Sequence, residues 1–370
     1  MACCRRGPPH AEGAATGGTP LKLALFLDYA SARLRIPVER VRLAERLGFD
    51  AVFTAEAYGS DAITPLAFLA AHTRRIRLGT GVCQVAGRPP AMAAMQLATL
   101  DALAGGGRVI AGFGLSGPQI VEGWYGQPWG RPHARLRDYV EIVRKVWRRE
   151  APVTHDGPEL ELPYRGPGAL GIGKPLRSIL HANPDIPIWL GTGGPANVRL
   201  TAEIADGWLP MGFAPGMMDV YRPWLEEGLR RSGRRLEDLE IQAQVQVILT
   251  GDVRGAIDSL KPMVALYVGG MGHRDINFHR DQMARRGFPE AAARIQELFL
   301  AGRRDEAVRA VPDEYIEQGA LIGPPARIRE RFRAWRDSGA TGLTVHTDQE
   351  EALRLLAEVA ELRPDPGAAA

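Results

Sequence analysis

Short apolar runs alternate with stretches of helical spacing along nearly the whole chain, and this alternation limits the possible folds more than anything else in the sequence. Strand-like runs stand at 21–27, 50–54, 76–82, 108–114, 186–190, 206–211, 239–249 and 341–347. Between them lie segments with helical apolar spacing. The first has Val38, Val41, Leu43, Ala44 and Leu47 on one side and stops at Gly48, a residue suited to the position just past a helix end. Others are expected at 64–73, 90–103, 133–149, 197–205, 217–231, 254–267, 325–338 and 349–362. Strands separated by helices pair in parallel rather than as hairpins. Eight such units in sequence predict an α/β chain closed as a (β/α)8 TIM barrel, with one domain over 20–363.

Two stretches break the alternation. Residues 151–185 are rich in Pro and Gly and have little periodicity, so an insertion is expected after strand 4. Residues 268–320 hold helical pieces at 289–301 and 304–310 and no evident strand. They read as a second insertion, after helix 7, on the barrel exterior or at a subunit interface. The ends, 1–19 and 364–370, have the composition of a disordered and a frayed tail.

With 46 basic and 43 acidic residues the formal net charge is +3, which gives no reason to expect nucleic acid or a membrane surface as partner. No apolar run approaches the roughly 20 residues of a membrane span, and Arg5 and Arg6 are not followed by a secretory apolar segment. Cys3, Cys4 and Cys83 form neither a disulfide framework nor a zinc spacing, so a cytoplasmic, reducing setting is expected. His72, His155, His181, His273 and His279 show no ligand spacing, and no metal is expected.

In a barrel of this kind the active site lies at the C-terminal strand ends. That rule selects Asp28, Glu56, Tyr58, 81–84, 114–119, 191–195, Met211, Phe213 and His346. Most informative is the run Ile186-Pro187-Ile188-Trp189-Leu190-Gly191-Thr192-Gly193-Gly194-Pro195. It reads as a buried strand, a glycine turn and a helix that starts on proline, where the missing N–H costs nothing. Free N–H groups and the helix dipole at such a start favour a phosphate or carboxylate. A plain strand–turn–helix connection is the other reading. Gly79 and Gly81 at one strand end, and Gly112, Gly114 and Gly117 at the next, suggest space for a flat ring against backbone. Glu56 stands just past strand 2, as a general acid raised by burial or as a solvated loop charge. Tyr58 is a phenol donor or an aromatic lid, and Arg131 and His133 cap a helix or reach an anion. Trp124, Tyr125 and Trp129 crowd one loop and read as a pocket wall. The run 112–117 fits the letters of a dinucleotide GxGxxG. Pro118 is expected to block the required helix, however, and no acidic ribose reader follows.

Six segments carry a family resemblance: 44–52 (AERLGFDAV), 75–82 (RIRLGTGV), 98–103 (ATLDAL), 112–114 (GFG), 187–195 (PIWLGTGGP) and 202–208 (AEIADGW). In this order and spacing the chain resembles the luciferase-like flavin and deazaflavin oxidoreductases over about 21–363. It is most similar to the F420-dependent branch that includes methylenetetrahydromethanopterin reductase. The resemblance implies a cofactor ring across the barrel mouth, with its phosphate at Gly193-Gly194-Pro195. Gly79, Gly81, Val82, Cys83, Gly114, Ser116, Gly117, Gly191 and Thr192 would complete the cofactor site. A non-prolyl cis peptide at Gly81–Val82 would form a bulge behind the ring. The implied chemistry is hydride transfer between deazaflavin C5 and a small organic substrate, reducing a C=C or C=N bond, with Glu56 or Tyr58 supplying the proton. Trp124, Trp129, Met211 and Phe213 would wall an uncharged or extended substrate, and the chain would form a homodimer. The branch often carries Asp or His at the end of strand 2. Here the run is Thr54-Ala55-Glu56-Ala57-Tyr58, so either Glu56 takes the acid role or the ring is met differently. An FMN-dependent monooxygenase using O2 and a flavin-binding barrel without chemistry are the alternatives.

Overall fold

The computed structural model describes residues 21–29 and 31–364. The expected tails, apart from Pro364, lie outside this range. Eight strands form the barrel: β1 Lys22–Phe26, β2 Ala51–Thr54, β3 Arg77–Thr80, β4 Val109–Gly114, β5 Ile188–Thr192, β6 Gly207–Pro210, β7 Glu240–Leu249 and β8 Gly342–His346. Each pairs in parallel with the next, and β8 returns to β1 with Lys22 opposite Gly342. Closure leaves no barrel edge.

The pleat sorts side chains to two faces, with period 2. Outward positions such as Leu23, Leu25, Val52, Leu78, Ala111, Leu190, Val245 and Leu343 are buried under the helix ring. Inward positions on β1 to β6 are mainly apolar. Ala24, Ala51, Phe53, Ile110, Trp189 and Leu209 fill the interior, and Phe26 and Val82 pack against them. The inward positions of β7 and β8 are different. Gln242, Gln244, Gln246, Thr344 and His346 form a polar seam, joined low down where Gln242 Nε2 donates to Thr344 Oγ1 at 3.1 Å.

The helices that frame the site are α1 Val38–Arg46, α2 Thr64–Ala70, α3 Pro90–Leu103, α4 Pro132–Arg148, α5 Pro195–Ile204, α6 Met218–Ser232 and α7 Val253–Gly270. Proline opens α3, α4 and α5 at their first positions, where φ is already helical and no N–H is lost. The first insertion contains a small antiparallel pair, His155–Asp156 with Glu161–Leu162.

The second insertion departs from expectation in two ways. It adds helices Phe278–Arg285 and Asp313–Gln318, and it leads into a strand, Ala320–Gly323. The strand pairs with residues 246–249 of β7. At ten residues β7 outruns its neighbours and touches β6 only at Glu240 and Ile241. Its far half needs another partner for its backbone groups, and the four-residue apolar run supplies it. The insertion also does not lie wholly outside the barrel. Gln282 Nε2 donates to Gly212 O in the loop after β6, which brings helix Phe278–Arg285 to the mouth.

Candidate active site

The floor of the mouth is built after β3. The Gly81–Val82 peptide is cis. Gly81 N–H donates to Thr54 O at 2.6 Å, and Cys83 and Gln84 then pair with Phe113 and Gly114 of β4. Val82 stands over the interior core. A Cβ on Gly114 would lie 2.5 Å from Val82 Cγ2, and one on Gly191 would lie 2.8 Å from Val82 Cγ1. A Cβ on Gly79 would overlap the Phe53 ring, and one on Gly112 the Thr80 carbonyl. These four glycines therefore make room for protein atoms. The surface offered upward is the half-buried Val82 side chain. Cys83 is fully buried, its thiol pushed up to about 12 by burial and then by the nearby Glu56 charge. Its side chain faces the core, so only its backbone borders the mouth.

Glu56 is not disposed as an acid. It is 7% exposed, and both carboxylate oxygens are bonded twice. Arg88 grips it with Nη1 on Oε1 and Nη2 on Oε2, each at 2.8 Å. Gln84 N–H donates to Oε1 at 2.7 Å and Ala62 N–H to Oε2 at 3.1 Å. This carboxylate ties the loop after β2 to the bulge after β3. Tyr125, from the aromatic loop, lies against Gly87 and reaches Ala57 O at 3.4 Å, so it roofs this brace. Tyr58 is 57% exposed at the rim.

Across the mouth, α5 begins at Pro195 with Gly194 as N-cap, no capping side chain and no acidic residue in its first turn. Its first N–H groups thus have no intrahelical partner. A Cβ on Gly194 would meet nothing within 4 Å, so open space lies before this turn. Asn197 in the first turn holds exposed His133 of α4 at 2.9 Å. Arg131 is turned away, onto Glu159. Thr192 is buried: its hydroxyl meets Thr201 Oγ1 at 2.8 Å and its carbonyl accepts from Trp208 Nε1 at 3.0 Å. It anchors the turn from below, with its hydroxyl engaged inside the protein. Gly193 lies under Met211. Ser116 adopts φ 61°, and Gly117 caps a short helix, Pro118–Gly123. Pro118 occupies the first helical position, so it starts this helix where it was expected to prevent one.

The expected substrate wall divides. Phe213 is 1% exposed and packs on Trp208 and Tyr221, so it belongs to the core. Trp124 is exposed and Trp129 half-buried. A second wall, of which the strand-end rule selects only His346, stands on the side of β8 and β1. His346 stacks on Phe26, centroids 4.2 Å apart, and Tyr29 meets Phe26 edge-on at 6.1 Å. Tyr29 is hydrogen-bonded to Tyr267 of α7, whose ring lies 4.7 Å from His279. Burial, then the Tyr267 contact, push the Tyr29 hydroxyl well above the usual phenol range. Burial lowers both His279 and His346 to about 4, so both imidazoles are neutral at pH 7. A separate 550 Å³ cavity lies in the second insertion, lined by Arg274, Arg280, Gln296 and Leu300 among others. Among the described residues no group of His, Cys, Asp or Glu is arranged to hold a metal ion, and no helix is long and apolar enough to cross a membrane.

Comparison with known proteins gives the family. The chain is 47% identical to a Mycobacterium tuberculosis protein assigned as a coenzyme F420-dependent oxidoreductase, over 91% of this chain and 98% of that one. It is 27% identical to the 5,10-methylenetetrahydromethanopterin reductase of Archaeoglobus fulgidus, over 85% and 92%. Among solved structures, the F420-dependent tetrahydromethanopterin reductase of Methanopyrus kandleri shares the fold at TM-score 0.75 and 24% identity, covering 93% of this chain and 99% of that one. An F420-dependent secondary alcohol dehydrogenase shares it at TM-score 0.71 and 18% identity, covering 93% and 99%. The family model described as luciferase-like monooxygenase matches residues 15–342, and the chain belongs to that family.

Proposed function

We propose that this protein is an F420-dependent oxidoreductase that reduces a C=C or C=N bond of a small organic substrate. One observation carries the reading: an uncapped helix start facing open space lies across the mouth from the aromatic pair Phe26 and Tyr29, with Val82 between them. The chemistry suits a cofactor with an anionic group at one end and a flat ring. N–H groups at the start of α5 would hold the phosphate, with Asn197 and His133 beside it. Val82 would support the ring from below. The deazaflavin supplies a hydride when bound. The chain itself holds the ring, screens it from water and provides the proton.

Glu56 enters this reading as a brace and not as the proton donor, because four donors already occupy its oxygens. Tyr58, exposed at the rim, keeps a hydroxyl that a bound substrate would meet. The names of the relatives most similar in sequence favour F420 over FMN. The deciding experiment is a fluorescence titration of the purified protein with F420 and, separately, with FMN. Micromolar or tighter F420 binding with negligible FMN binding is expected. Preference for FMN would move the protein to oxygen-using chemistry, and binding of neither would overturn the cofactor reading.

A further inference from the structure

The polar seam inside the barrel has no part in the cofactor site just described. Within an eight-stranded barrel the inward residues ordinarily fill the core with branched apolar side chains. Here β7 and β8 direct Gln242, Gln244, Gln246, Thr344 and His346 inward. The lowest members satisfy each other through the Gln242–Thr344 bond. The upper members do not. Gln244 and Gln246 are half-buried although they face the barrel interior, so the interior is open on this side. Gln246 lies opposite His346 in the strand register. The His346 ring is held flat on Phe26, and its Nε2 is shut off from solvent with no hydrogen-bond partner. A buried polar atom in that state needs an explanation. A two-fold rotation about the Cβ–Cγ bond would exchange the positions of Nε2 and Cε1, and the residue keeps some solvent exposure. No Lys or Arg occupies an inward position at these strand ends.

We infer that Gln246 and His346 form the site for the substrate's polar atom. The substrate is then a small uncharged molecule whose reacting double bond is a C=N, or a C=C conjugated to a carbonyl, with its nitrogen or oxygen hydrogen-bonded at the β7–β8 side of the mouth. The inference rests on the F420 reading for the identity of the reaction, but the subsite stands on geometry. Strand 5, which carries the phosphate turn, lies with strand 4 across the barrel from strands 8 and 1. The ring would span Val82 between them, and the substrate would meet it from the His346 side. A neutral imidazole and a carboxamide both donate and accept, so they can hydrogen-bond a carbonyl or imine, but they bring no positive charge to offset that of a carboxylate.

The test uses the full chain with ring-labelled histidine, with and without oxidised F420. Cyclohexenone is the probe, and cyclohexanecarboxylate the charged control. The His346 imidazole signal is identified by its absence in His346→Gln. It should shift saturably with cyclohexenone and not with the carboxylate. His346→Phe and Gln246→Leu should each weaken cyclohexenone binding about tenfold, the equivalent of one hydrogen bond, while F420 affinity stays within about twofold. A His346 signal that stays fixed, whether the probe binds elsewhere or not at all, overturns the proposal. So does loss of F420 affinity in these variants, which would place both residues in the cofactor site. Failure of the wild-type protein to bind F420, with the His346 shift intact, would sink the cofactor reading and leave the subsite standing.

Discussion

Glu56 shows how far a residue's surroundings can reverse its expected part. At the end of strand 2, a carboxyl buried beneath a cofactor is a reasonable proton donor from position alone. The structure surrounds it with Arg88, Gln84 N–H and Ala62 N–H, which together occupy both of its oxygens. Glu56→Ala would leave the Arg88 guanidinium, 14% exposed, without a partner. Breaking such a pair from one side destabilises by about 3–5 kcal/mol. Glu56→Gln, which keeps an acceptor, should cost about 1–3 kcal/mol. Adding Arg88→Met to Glu56→Gln should recover part of the loss. Urea denaturation measures all three. Turnover per folded molecule should change only a few-fold in Glu56→Gln. A collapse of turnover at unchanged stability would instead return the carboxyl to the proton-donor role. Nothing in the sequence near Glu56 reveals Arg88, 32 positions away, because the two meet only where the loop after β3 lies against the loop after β2 in the folded barrel.

At the scale of elements, α5 was legible and the second insertion was not. A five-residue apolar run, three glycines in four positions and a proline leave few options besides strand, turn and helix start. The strand Ala320–Gly323 and the helix Phe278–Arg285 exist because other elements need covering, and short segments carry too few periods to announce that. The Gln242–Gln244–Gln246 alternation was visible too, but which face of β7 points inward is set by barrel closure and not by the strand. For α5 the anion-binding role predicts two effects of opposite sign from one substitution. Ala196 is exposed in a first turn that holds no acidic residue. In Ala196→Glu the new carboxylate should stabilise the free protein by about 0.3–1 kcal/mol through the helix dipole. The same charge would occupy the anion site and weaken F420 binding by about tenfold or more. Thermal unfolding of the free protein and a cofactor titration report the two effects separately. A stabilised variant with unchanged F420 affinity would put the phosphate somewhere else.

For the molecule as a whole, closure of the barrel and docking of the second insertion bury two histidines that an unfolded chain would expose. His279 comes from the insertion and His346 from β8, and burial lowers both to about 4. Unfolded, each titrates near the ordinary value of about 6.5. Between those values the unfolded chain binds more protons than the native one, so stability rises with pH across this window and is complete above about 6.5. It falls as the pH drops toward 4. From pH 7 to pH 5 each histidine should remove up to about 1–2 kcal/mol. Most carboxylates remain ionised over that interval, including Glu45 and Glu240. Burial alone would raise both, but hydrogen bonds hold them below the usual range: to Glu45 from the Ile76, Arg75 and Arg74 N–H groups, and to Glu240 from Arg77 and Lys22. Urea denaturation at the two pH values should therefore give a difference of about 2–4 kcal/mol. His279→Gln and His346→Gln should each reduce that difference by about half, whatever they do to stability at pH 7. If the wild-type difference is absent, both imidazoles are accessible to protons in the native state. The insertion would then not be packed beside the mouth as it is here.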